Sequence, residues 1–461
     1  MLCTDYKELL ETQRNFFATG VTQPVVFRIK QLKMIKTLLQ THEDEIISAL
    51  YKDLHKPAQE TVLHEILLVI KEIDFIIKHL KKWARSNKVS TPLFLWPGRS
   101  AIYYEPYGCT LIIGAWNYPL MLILSPLIGA ISAGNCAIVK PSEIAVHTQA
   151  LLVKLIAYYF PPEYIAVVTA GPVETMQLLQ EKFDYIFFTG STQIGKKVLE
   201  AAAKHLTPVT LELGGKNPCI VTSDANLDYA ARRIIWAKTI NAGQTCIAPD
   251  YVYVQRACKD KLLSKLQNAL LQFYGDTPQT SRNYGRIINY KQLSRLSQVL
   301  HDKNAVPQEK STADNALYFA PTLIDNVTWQ DAIMQEEVFG PLLPILTYDD
   351  MDEVIHAVNA RPKPLALYLF TRNQQIEKQV LTSISFGGGC INDCILHIAN
   401  YHLPFGGVGA SGMGCYHGHY SFATFSHRKS IYKKHLLIEL KLEYPPYNKA
   451  KLTWLRRLLK W

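Results

Sequence analysis

The first 88 residues carry a helical pattern of hydrophobic positions. Apolar residues recur at helical spacing beside faces rich in Glu and Lys, as in Ile46 to Leu54 and Thr61 to Trp83, and this region contains one glycine. Such two-faced periodicity predicts helices that each pack one side against a core.

The pattern changes between residues 90 and 99. Pro92 and Pro97 bracket an aromatic stretch there, and the strand-like run Ala101 to Glu105 follows. Because proline interrupts both helices and central strands, this region predicts an arm or a crossing between domains.

Short β-branched runs then alternate with helical segments of ten or more residues. The runs lie at 110–113, 136–139, 165–168 and 185–188. This alternation predicts βαβ units and a doubly wound sheet. A second alternating series begins at Val209 and predicts a second α/β domain. Its strands are expected near 219–222, 251–255, 343–347 and 365–370, and its helices near 226–242, 258–272 and 350–359.

One uncharged segment is long enough to be tested as a membrane span. Pro106 to Val139 contains no Asp, Glu, Lys, Arg or His. Glycine, proline and asparagine interrupt it repeatedly, however, and divide it into a β-run at Thr110 to Ile113, an apolar helix at about Leu120 to Ala133 and a β-run at Cys136 to Val139. We interpret it as a buried strand–helix–strand unit of a parallel sheet, with a membrane helix as the alternative.

Length and composition are those of an ordinary soluble enzyme. The chain has 461 residues, of which 48% are hydrophobic and 19% charged, so a small disulfide-stapled protein and a disordered chain are both excluded. The nine cysteines are scattered, and the acidic start at Asp5 and Glu8 has no apolar stretch behind it. We therefore expect a reducing, cytoplasmic location without a secretory signal.

The positive charge is concentrated at the C-terminal end. The formal net charge is +10, and the last 34 residues, from Arg428 to Trp461, hold ten Lys or Arg and two acids. A basic tail on a nearly neutral body predicts contact with an anionic surface through the tail and argues against a nucleic-acid groove in the body.

Cys246 is the first candidate for chemistry. It lies in Asn241-Ala-Gly-Gln-Thr-Cys-Ile-Ala-Pro, where a helical pattern ends in a glycine-bearing loop. A thiol needs electrostatic help to act as a nucleophile at neutral pH, and backbone N–H groups in such a loop can provide it. The alternative is a buried structural cysteine.

Glu212 is the second candidate. It ends a β-branched run in Val209-Thr-Leu-Glu-Leu-Gly-Gly-Lys. A carboxylate among apolar residues at a strand end has a raised pKa, as a general base working near neutrality requires. A salt-bridged structural glutamate is the alternative.

Two further motifs follow predicted strands. Phe188-Thr-Gly190-Ser-Thr-Gln-Ile-Gly195 opens a helix, and its glycines allow a diphosphate to approach the helix N-terminus; a plain strand-to-helix turn is the alternative. In Lys140-Pro-Ser-Glu143, the lysine and glutamate could hold ribose hydroxyls or form a solvated capping pair.

Seven motifs together resemble the NAD(P)-dependent aldehyde dehydrogenase superfamily. They occur in family-like order and spacing from about residue 10 to about residue 435, which makes coincidence negligible. The residues and motifs that carry the resemblance are Asn117 in Gly-Ala-Trp-Asn-Tyr-Pro, Lys140 in Lys-Pro-Ser-Glu, Gly190 in Phe-Thr-Gly-Ser-Thr, Glu212 in Leu-Glu-Leu-Gly-Gly-Lys, Cys246 in Gly-Gln-Thr-Cys, Glu337 in Glu-Glu-Val-Phe-Gly-Pro, and Pro404-Phe-Gly-Gly-Val-Gly-Ala-Ser-Gly-Met-Gly. The end of the match looks like the class 3 branch, which includes the fatty aldehyde dehydrogenases.

The resemblance implies an α/β fold with a doubly wound dinucleotide-binding domain, a second α/β catalytic domain and a bridging β-arm. Its boundaries on this chain are 1–81 with 103–210 for the first, 211–420 for the second, and 82–102 with 421–444 for the arm. A basic amphipathic tail, 445–461, follows. The resemblance also implies a homodimer.

The resemblance further implies a role for each matching residue. Cys246 would attack the aldehyde carbon, the Asn117 side chain and the Cys246 backbone N–H would hold the oxyanion, and Glu212 would activate water against the thioester. The implied cofactor is NAD, with NADP as an alternative. Its implied contacts are Lys140 and Glu143 at the adenosine ribose, Gly190, Ser191, Thr192 and Gly195 at the diphosphate, and Glu337 and Phe339 at the nicotinamide ribose and ring.

The implied substrate pocket draws on residues around 118, 391–397 and 417. The candidates are Tyr118, Ile391, Ile395, His397 and His417. Cys390, Cys394, His397 and His402 could instead be read as zinc ligands, but their spacing is too compressed for an ordinary structural zinc site, so we expect no metal.

The last segment predicts an amphipathic helix from Lys449 to Trp461. Its leucines and tryptophans fall on one half of the helix and most of its basic residues on the other. Thirteen residues are too few to span a bilayer, so we expect a helix lying on the cytosolic face of a membrane. The alternative is a helix that docks on the partner subunit or covers the protein's own tunnel.

These predictions converge on the oxidation of aldehydes, medium- or long-chain aliphatic, to carboxylic acids through a thiohemiacetal and a hydrolysed thioester. Aromatic or apocarotenoid and isoprenoid aldehydes are the alternative substrates. A non-catalytic scaffold on a membrane surface is the alternative of a different class, which the presence of Asn117, Glu212 and Cys246 disfavours.

Overall fold

Parallel β-sheets organise most of the chain in this computed structural model, which describes residues 5–301, 317–436 and 443–458. The α-helices are α1 (Tyr6–Ala18), α2 (Val25–Thr41), α3 (Glu43–Leu54), α4 (Ala58–Thr61), α5 (Leu67–Trp83), α6 (Met121–Ala133), α7 (Val146–Tyr159), α8 (Pro172–Leu178), α9 (Thr192–Ala203), α10 (Leu227–Thr239), α11 (Lys259–Tyr274), α12 (Tyr290–His301), α13 (Met351–Asn359), α14 (Gln374–Ser383), α15 (His419–Thr424) and α16 (Lys449–Leu458). A π-helical turn, Val62–Ile66, joins α4 to α5.

The strands that the sequence predicts lie close to their predicted positions, and four further short strands, the first, tenth, thirteenth and fourteenth in chain order, were not predicted. The described strands are β1 (Asn87–Val89), β2 (Arg99–Pro106), β3 (Cys109–Ile113), β4 (Cys136–Lys140), β5 (Ile165–Val167), β6 (Tyr185–Thr189), β7 (Val209–Glu212), β8 (Pro218–Val221), β9 (Tyr251–Gln255), β10 (Thr322–Ile324), β11 (Leu342–Tyr348), β12 (Ala366–Phe370), β13 (Gly388–Ile391), β14 (Gly412–Met413) and β15 (Ser426–Lys433).

The first sheet is doubly wound. Its strand order is β14-β7-β6-β3-β4-β5, and all its pairs are parallel except β14 with β7. The chain leaves β3 towards β5 on one side and returns to β6 on the other, so the switch point lies between β3 and β6. Ligands of open α/β sheets bind outside the carboxyl ends of the strands at this point.

The segment that resembled a membrane span is the strand–helix–strand unit predicted for it. β3, α6 and β4 follow one another within 109–140, one residue beyond the uncharged segment, and every residue of the three elements is buried. Helix α6 packs against α2, α5 and α15. No helix among the described residues is long and apolar enough to cross a membrane.

The second sheet is parallel, with strand order β10-β11-β9-β8-β12-β13. A separate antiparallel sheet joins β1, β2 and β15, with β2 in the centre and Ser426 to Lys433 paired along Pro106 to Arg99. The predicted fold class, with two α/β sheets and a β-arm, is therefore confirmed.

The boundaries of the predicted domains stay predictions. Strand β7 runs across the predicted boundary at 210–211. Strand β14, from the stretch assigned to the second domain, pairs with β7 in the first sheet. Backbone pairing between residues far apart in sequence places β14 there, and a two-residue strand leaves no periodic pattern.

The C-terminal helix α16 begins at Lys449, as the amphipathic pattern predicts. Asn448 caps it by accepting a hydrogen bond from the backbone N–H of Lys451 at 2.9 Å. The predicted last residues of the helix, 459–461, lie outside the described residues. No side chain described between 443 and 457 is buried.

Candidate active site

A cleft of about 280 Å³ opens where the two large sheets meet. The loops after β3, β6 and β7 approach it from the first sheet, at its switch point, and the loops that lead into β9 and β11 approach it from the second. It is lined by Ala115, Trp116, Asn117, Thr189, Gly190, Ser191, Glu212, Leu213, Gly214, Cys246, Gln292, Arg295, Glu336, Glu337 and Phe339. The three predicted catalytic residues, Asn117, Glu212 and Cys246, therefore share one cleft.

Asn117 is held in place by hydrogen bonds to both its side chain and its backbone carbonyl. Its side chain is 2% exposed, and its amide donates one hydrogen bond to the carbonyl of Gln244 at 3.1 Å. Its backbone carbonyl accepts hydrogen bonds from the Lys56 ammonium at 3.1 Å and from the Asn241 side-chain amide at 2.8 Å. Because one amide hydrogen is used by Gln244, the other remains to hold an oxyanion in the cleft.

Behind Asn117 lies a fully buried ion pair. Lys56 pairs with Glu65, and both side chains are 0% exposed. The second carboxylate oxygen of Glu65 accepts the backbone N–H groups of Leu120 at 3.1 Å and Met121 at 3.0 Å, at the start of α6. The pair thus fixes both the Asn117 peptide and the helix that follows it.

The loop that carries Cys246 has an unusual backbone. Asn241 and Ala242 adopt left-handed conformations with φ of 51° and 50°, and Gly243 follows at 75°. A side chain at Gly243 would also collide with the carbonyl of Gly340, so the glycine of the motif is required sterically. The backbone N–H of Asn241 donates to Glu60 at 3.0 Å.

Two buried amides anchor the same loop. Asn217 donates to the carbonyls of Cys246 at 2.8 Å and Ala248 at 3.0 Å, and it accepts the N–H of Ala366 at the start of β12. Gln244 donates to the carbonyl of Arg286 at 2.9 Å and accepts the N–H of Ile288. The cysteine is therefore held by the rigid second sheet rather than by a free loop.

The electrostatic environment keeps the Cys246 thiol protonated. Burial, followed by the negative charges of Glu337 and Glu212, raises its pKa to about 12, and the backbone N–H groups of Cys246 and Ile247 oppose the shift. The thiolate form thus needs a ligand or a neighbour that adds positive charge or removes negative charge.

Glu212 is buried at the end of β7 without a hydrogen-bond or ion-pair partner among the described residues. Its side chain is 3% exposed, and neither carboxylate oxygen has a hydrogen-bond partner among the described residues. Burial alone raises its pKa well above the ordinary value for a glutamate. An unpaired carboxylate in a cleft, with a strongly raised pKa, has the properties of a general base or acid.

Gly190 and Ser191 line the cleft where α9 begins. Ser191 is the N-cap of α9 and accepts the N–H of Ile194 at 3.4 Å. A side chain at Gly195 would meet Leu213 at 2.7 Å, so this glycine allows α9 to pack on the cleft wall. Thr192 instead donates to the carbonyl of Ala410 at 3.0 Å and does not line the cleft.

Glu337 and Phe339 form the opposite wall. Burial, with a smaller contribution from Asp250, raises the pKa of Glu337 to about 8 against the opposing effects of the Gly215 N–H, Lys216 and Lys238. A Cβ on Gly214 would overlap the Glu337 carboxylate. Phe339 meets Trp116 edge-on at 5.3 Å between ring centroids.

The predicted ribose pair lies apart from the cleft lining. Lys140 ends β4, is 5% exposed, and donates to Glu143 at 2.5 Å. Neither residue lines the described cleft. They stand at the carboxyl edge of the first sheet, two strands away from β6, where an extended ligand in the cleft can reach.

The predicted pocket residues divide into separate environments. Tyr118 shares a hydrogen bond with Thr245 at 2.8 Å, directly before Cys246. Ile391 packs against the smaller buried cluster, which lies on the second sheet, whereas Ile395 belongs to the larger buried cluster, which spans both sheets. None of these residues, nor His397 and His417, lines the described cleft.

His397 and His417 both lie beside Phe405. Their ring centroids are 5.9 and 5.5 Å from that of Phe405. Burial lowers the pKa of His397 to about 4 and that of His417 to about 3, so both rings are neutral at pH 7. Glu72 approaches Nδ1 of His417 at 3.8 Å.

The histidines do not form a metal centre with their neighbours. The Cys390 thiol contacts Nδ1 of His397 at 3.6 Å. Across the described ranges, no group of three or more His, Cys, Asp or Glu side chains is arranged to hold a metal ion.

Sequence reasoning missed several residues that build the cleft. Trp116 and Gln244 lie inside quoted motifs, but neither received a role. Arg295, on α12, contacts the carbonyl of Val338 at 2.7 Å and lines the cleft, yet no motif surrounds it. One sequence feature could have indicated the buried pair of Lys56 and Glu65: Glu65 interrupts the apolar stripe of a helical region and therefore needs a polar partner.

The chain matches the family model described as the aldehyde dehydrogenase family over residues 4–431. It is 47% identical to the 4,4'-diaponeurosporen-aldehyde dehydrogenase of Staphylococcus aureus, with 96% of this chain and 97% of that protein covered. It is 44% identical to mouse aldehyde dehydrogenase family 3 member A2, with 97% and 92% covered. It is also 43% identical to the dimeric, NADP-preferring aldehyde dehydrogenase of dog, with 97% and 98% covered. A solved structure of S. aureus AldH in a substrate-bound state superposes with a TM-score of 0.96, covering 99% of this chain and 100% of that one at 46% identity.

Proposed function

The chain belongs to the aldehyde dehydrogenase family and is an oxidoreductase acting on aldehydes, and from this premise we propose that it oxidises medium- and long-chain aliphatic aldehydes through a covalent intermediate on Cys246. The observation that carries the proposal is the meeting of Cys246, Asn117 and Glu212 in one cleft. A scaffold without activity would not need these three groups together.

In the proposed mechanism, the Cys246 thiolate attacks the aldehyde carbon and forms a thiohemiacetal oxyanion. The free amide hydrogen of Asn117 and the backbone N–H of Cys246 stabilise this oxyanion. Loss of hydride from the former aldehyde carbon leaves a thioester. Glu212 then takes a proton from water, the resulting hydroxide attacks the thioester carbonyl, and the carboxylic acid leaves as the thiolate is restored.

NAD(P)+ supplies the hydride acceptor. The residues present fit such a dinucleotide: Gly190, Ser191 and the open N-terminus of α9 suit the diphosphate, and Glu337 offers a carboxylate to ribose hydroxyls. Lys140 and Glu143 would bind the adenosine ribose. The carboxylate of Glu143 favours NAD over NADP because it repels a 2′-phosphate, although the similar dog enzyme is NADP-preferring.

Long apocarotenoid aldehydes are the second candidate substrates. The S. aureus relative is named for an apocarotenoid aldehyde and covers nearly the whole chain. Aliphatic and apocarotenoid aldehydes are both long and apolar, and they dissolve in membranes rather than in water. The tail supports a membrane location, because α16 presents exposed Leu452 and Trp454 together with Arg456 and Arg457.

We further propose a homodimer located on the cytosolic face of a membrane. The dimer is supported by the resemblance and by the name of the dog relative. Tail residues 449–461 would provide the peripheral membrane contact, of which 449–458 are described. The pocket for the apolar chain would include Tyr118, Ile391, Ile395, His397 and His417.

The test is NADH formation by the purified protein with aldehydes of increasing chain length, one aromatic aldehyde and one polyene aldehyde. We expect kcat/KM to rise with aliphatic chain length, and Cys246→Ala to abolish activity without changing the circular dichroism spectrum. Cys258→Ala, which removes a buried thiol outside the cleft, is the matched control and keeps full activity. A preference for short aldehydes would refute the substrate assignment, and activity in Cys246→Ala would refute the nucleophile.

A further inference from the structure

Glu337 and Phe339 lie on a segment without regular structure. Residues 335–341, which we call the wall segment, join a 3₁₀ turn, Ala332–Met334, to β11 and belong to neither a helix nor a strand. Phe339 has a φ of 45°, in the left-handed region that a bulky residue seldom adopts. Such a conformation is unfavourable and persists only where the surrounding contacts enforce it.

A buried ion pair holds the wall segment from one side. Lys216 pairs with Asp250 at 2.5 Å, and their side chains are 14% and 4% exposed. The other carboxylate oxygen of Asp250 accepts the backbone N–H of Val338 at 2.8 Å. The Lys216 ammonium also donates to the carbonyls of Ile333 at 2.8 Å and Glu336 at 2.9 Å. The pair therefore binds backbone groups at three points, one of them just before the wall segment.

Arg295 holds the wall segment from the other side. It donates to the carbonyls of Val338 at 2.7 Å and Glu337 at 3.4 Å. Both backbone groups of Val338 are thus bonded to charged side chains, the N–H to Asp250 and the carbonyl to Arg295. Because charge-assisted hydrogen bonds are stronger than those between neutral groups, these contacts can hold the strained residue that follows.

The ion pair also connects the three parts of the cleft. Lys216 follows Glu212 by four residues, and Asp250 follows Cys246 by four. The backbone N–H of Asp250 donates to the carbonyl of Asn217 at 2.9 Å, so the two segments are joined beside the pair as well as through it. The segments that carry the proposed base and the proposed nucleophile are therefore tied to each other and to the wall segment.

We propose that Lys216 and Asp250 are positioning residues, which hold the wall segment so that Glu337 and Phe339 face the dinucleotide in the cleft. The inference rests on the proposed function, in which Glu337 meets the nicotinamide ribose and Phe339 the ring. Neither Lys216 nor Asp250 lines the described cleft, so they act through the backbone of the wall segment. A segment held in place before the ligand arrives avoids the cost of being ordered on binding.

A direct effect of charge on Glu337 is the alternative, and the two members of the pair separate it from positioning. Lys216 lowers the pKa of Glu337, whereas Asp250 raises it. If charge alone mattered, removing Lys216 and removing Asp250 would change cofactor binding in opposite directions. If position matters, both changes weaken binding, because each releases the wall segment.

The first experiment measures amide hydrogen exchange of the full chain by mass spectrometry, without cofactor. Peptides that cover 335–341 should exchange about tenfold faster in Lys216→Met and in Asp250→Ala, because each loses hydrogen bonds between a charged group and the backbone. Asp250→Asn should lie between Asp250→Ala and the wild type, since it keeps an acceptor for the N–H of Val338. The matched control is Lys259→Met: Lys259 is 17% exposed, pairs with Asp325 at 2.8 Å outside the cleft, and should leave the wall segment unchanged.

The second experiment titrates the binding of NADH by fluorescence, without aldehyde. The Kd for NADH should rise about tenfold in Lys216→Met and in Asp250→Ala, and less in Asp250→Asn. Lys259→Met should bind NADH as the wild type does. The KM for NAD+ should rise with the Kd, whereas the KM for a short aldehyde should stay within about twofold, because the wall segment provides neither Cys246 nor Asn117. Urea unfolding shows that each variant is folded where NADH is titrated.

Three results would overturn the inference. Unchanged exchange of residues 335–341 in Lys216→Met and Asp250→Ala would show that the pair does not hold the wall segment. Faster exchange with unchanged NADH affinity would show that the position of the segment does not govern cofactor binding. Opposite changes of NADH affinity in Lys216→Met and Asp250→Ala, or equal changes in Asp250→Ala and Asp250→Asn, would assign the effect to charge. Because neither experiment depends on aldehyde oxidation, a wrong substrate assignment in the proposed function leaves both readouts unaffected.

Discussion

Lys56→Met should damage both stability and catalysis, because it breaks the buried ion pair behind Asn117. Lys56 and Glu65 are each 0% exposed. The substitution leaves the Glu65 carboxylate buried, with only the N–H groups of Leu120 and Met121 as donors. It also removes the ammonium that holds the carbonyl of Asn117.

The expected cost follows from the burial. Removing one partner of a buried ion pair costs about 3–5 kcal/mol, because an uncompensated charge stays behind. Lys36 provides a matched control, since it pairs with Asp74 at 2.6 Å while 30% exposed, and Asp74 is 45% exposed. An exposed pair contributes about 0–1 kcal/mol, so Lys36→Met should be nearly neutral.

Lys56→Met should lower kcat less than removal of the Asn117 side chain would. An oxyanion donor is commonly worth about 10²–10³ in rate. Because Gln244 and Asn241 still hold Asn117, we expect kcat to fall about tenfold rather than to that limit.

The assay combines urea unfolding with the rate of NADH formation for Lys56→Met, Lys36→Met and the double variant Lys56→Met/Glu65→Gln. The double variant removes both charges and should recover at least about 1 kcal/mol relative to Lys56→Met alone. If Lys56→Met costs no more than Lys36→Met, or if the double variant is the least stable of the three, the reasoning from burial is wrong.

Three further predictions concern the titratable groups. Glu212→Gln should stop turnover after about one NADH per active site, because a thioester forms but is not hydrolysed; rapid mixing detects the burst, and steady turnover would contradict the role. Because the pKa of Cys246 is raised to about 12, its alkylation by iodoacetamide without ligands should accelerate about tenfold per pH unit from pH 7 to pH 10. Cys246→Ala gives the background rate of alkylation at the other cysteines. A rate that levels off below pH 9 would refute the raised pKa. Burial raises the pKa of Glu72 from 4.5 to about 7, so the stabilisation by its protonated form is complete below pH 4.5 and is lost as the pH rises through 7. Glu72→Gln should therefore be more stable than the wild type at pH 8, by up to roughly 3 kcal/mol. Equal stability of the two proteins in urea unfolding at pH 8 would contradict this sign.

The fold was largely predictable because its signals are local. The predicted runs at 110–113, 136–139 and 185–188 differ from β3, β4 and β6 by a residue at their ends. Buried parallel strands appear in a sequence as uninterrupted β-branched runs between helical segments. Such runs can be recognised without knowing which strands pair with them. Strand β14 left no such trace, since its position depends on pairing with β7 across about 200 residues.

The proposed catalytic residues could be proposed from the sequence for a different reason. Cys246, Glu212 and Asn117 lie in motifs whose glycines serve the backbone, as Gly243 does where the loop needs a positive φ. The residues that hold these groups in place have no motif, because their role is contact with a distant segment. Asn217 reaches Cys246 and Ala366 from separate parts of the chain, and only the fold brings them together.

The helical region before α6 contains a sequence feature from which buried polar contacts can be predicted. Glu65 and Glu72 lie seven residues apart in the buried stripe that Val69, Ile73 and Ile76 complete. A carboxylate in an apolar stripe requires a partner, which the structure provides as Lys56 and the N-terminus of α6 for Glu65, and as Gly418 and Ser421 for Glu72. A glutamate at such a position therefore predicts a long-range polar contact, although not its identity.

The charges around the cleft explain why the pKa values of Glu337 and Glu212 differ. Lys216 and Lys238 lie near Glu337 and limit the rise of its pKa to about 8, whereas the pKa of Glu212 is raised by burial with no opposing group. With a pKa of about 8, Glu337 is also mostly protonated at pH 7 and loses its proton about one pH unit higher. Burial favours the protonated form of Glu212, in which it places no negative charge beside Cys246. The same burial gives the deprotonated Glu212 carboxylate a higher proton affinity than that of an exposed glutamate, as a general base requires.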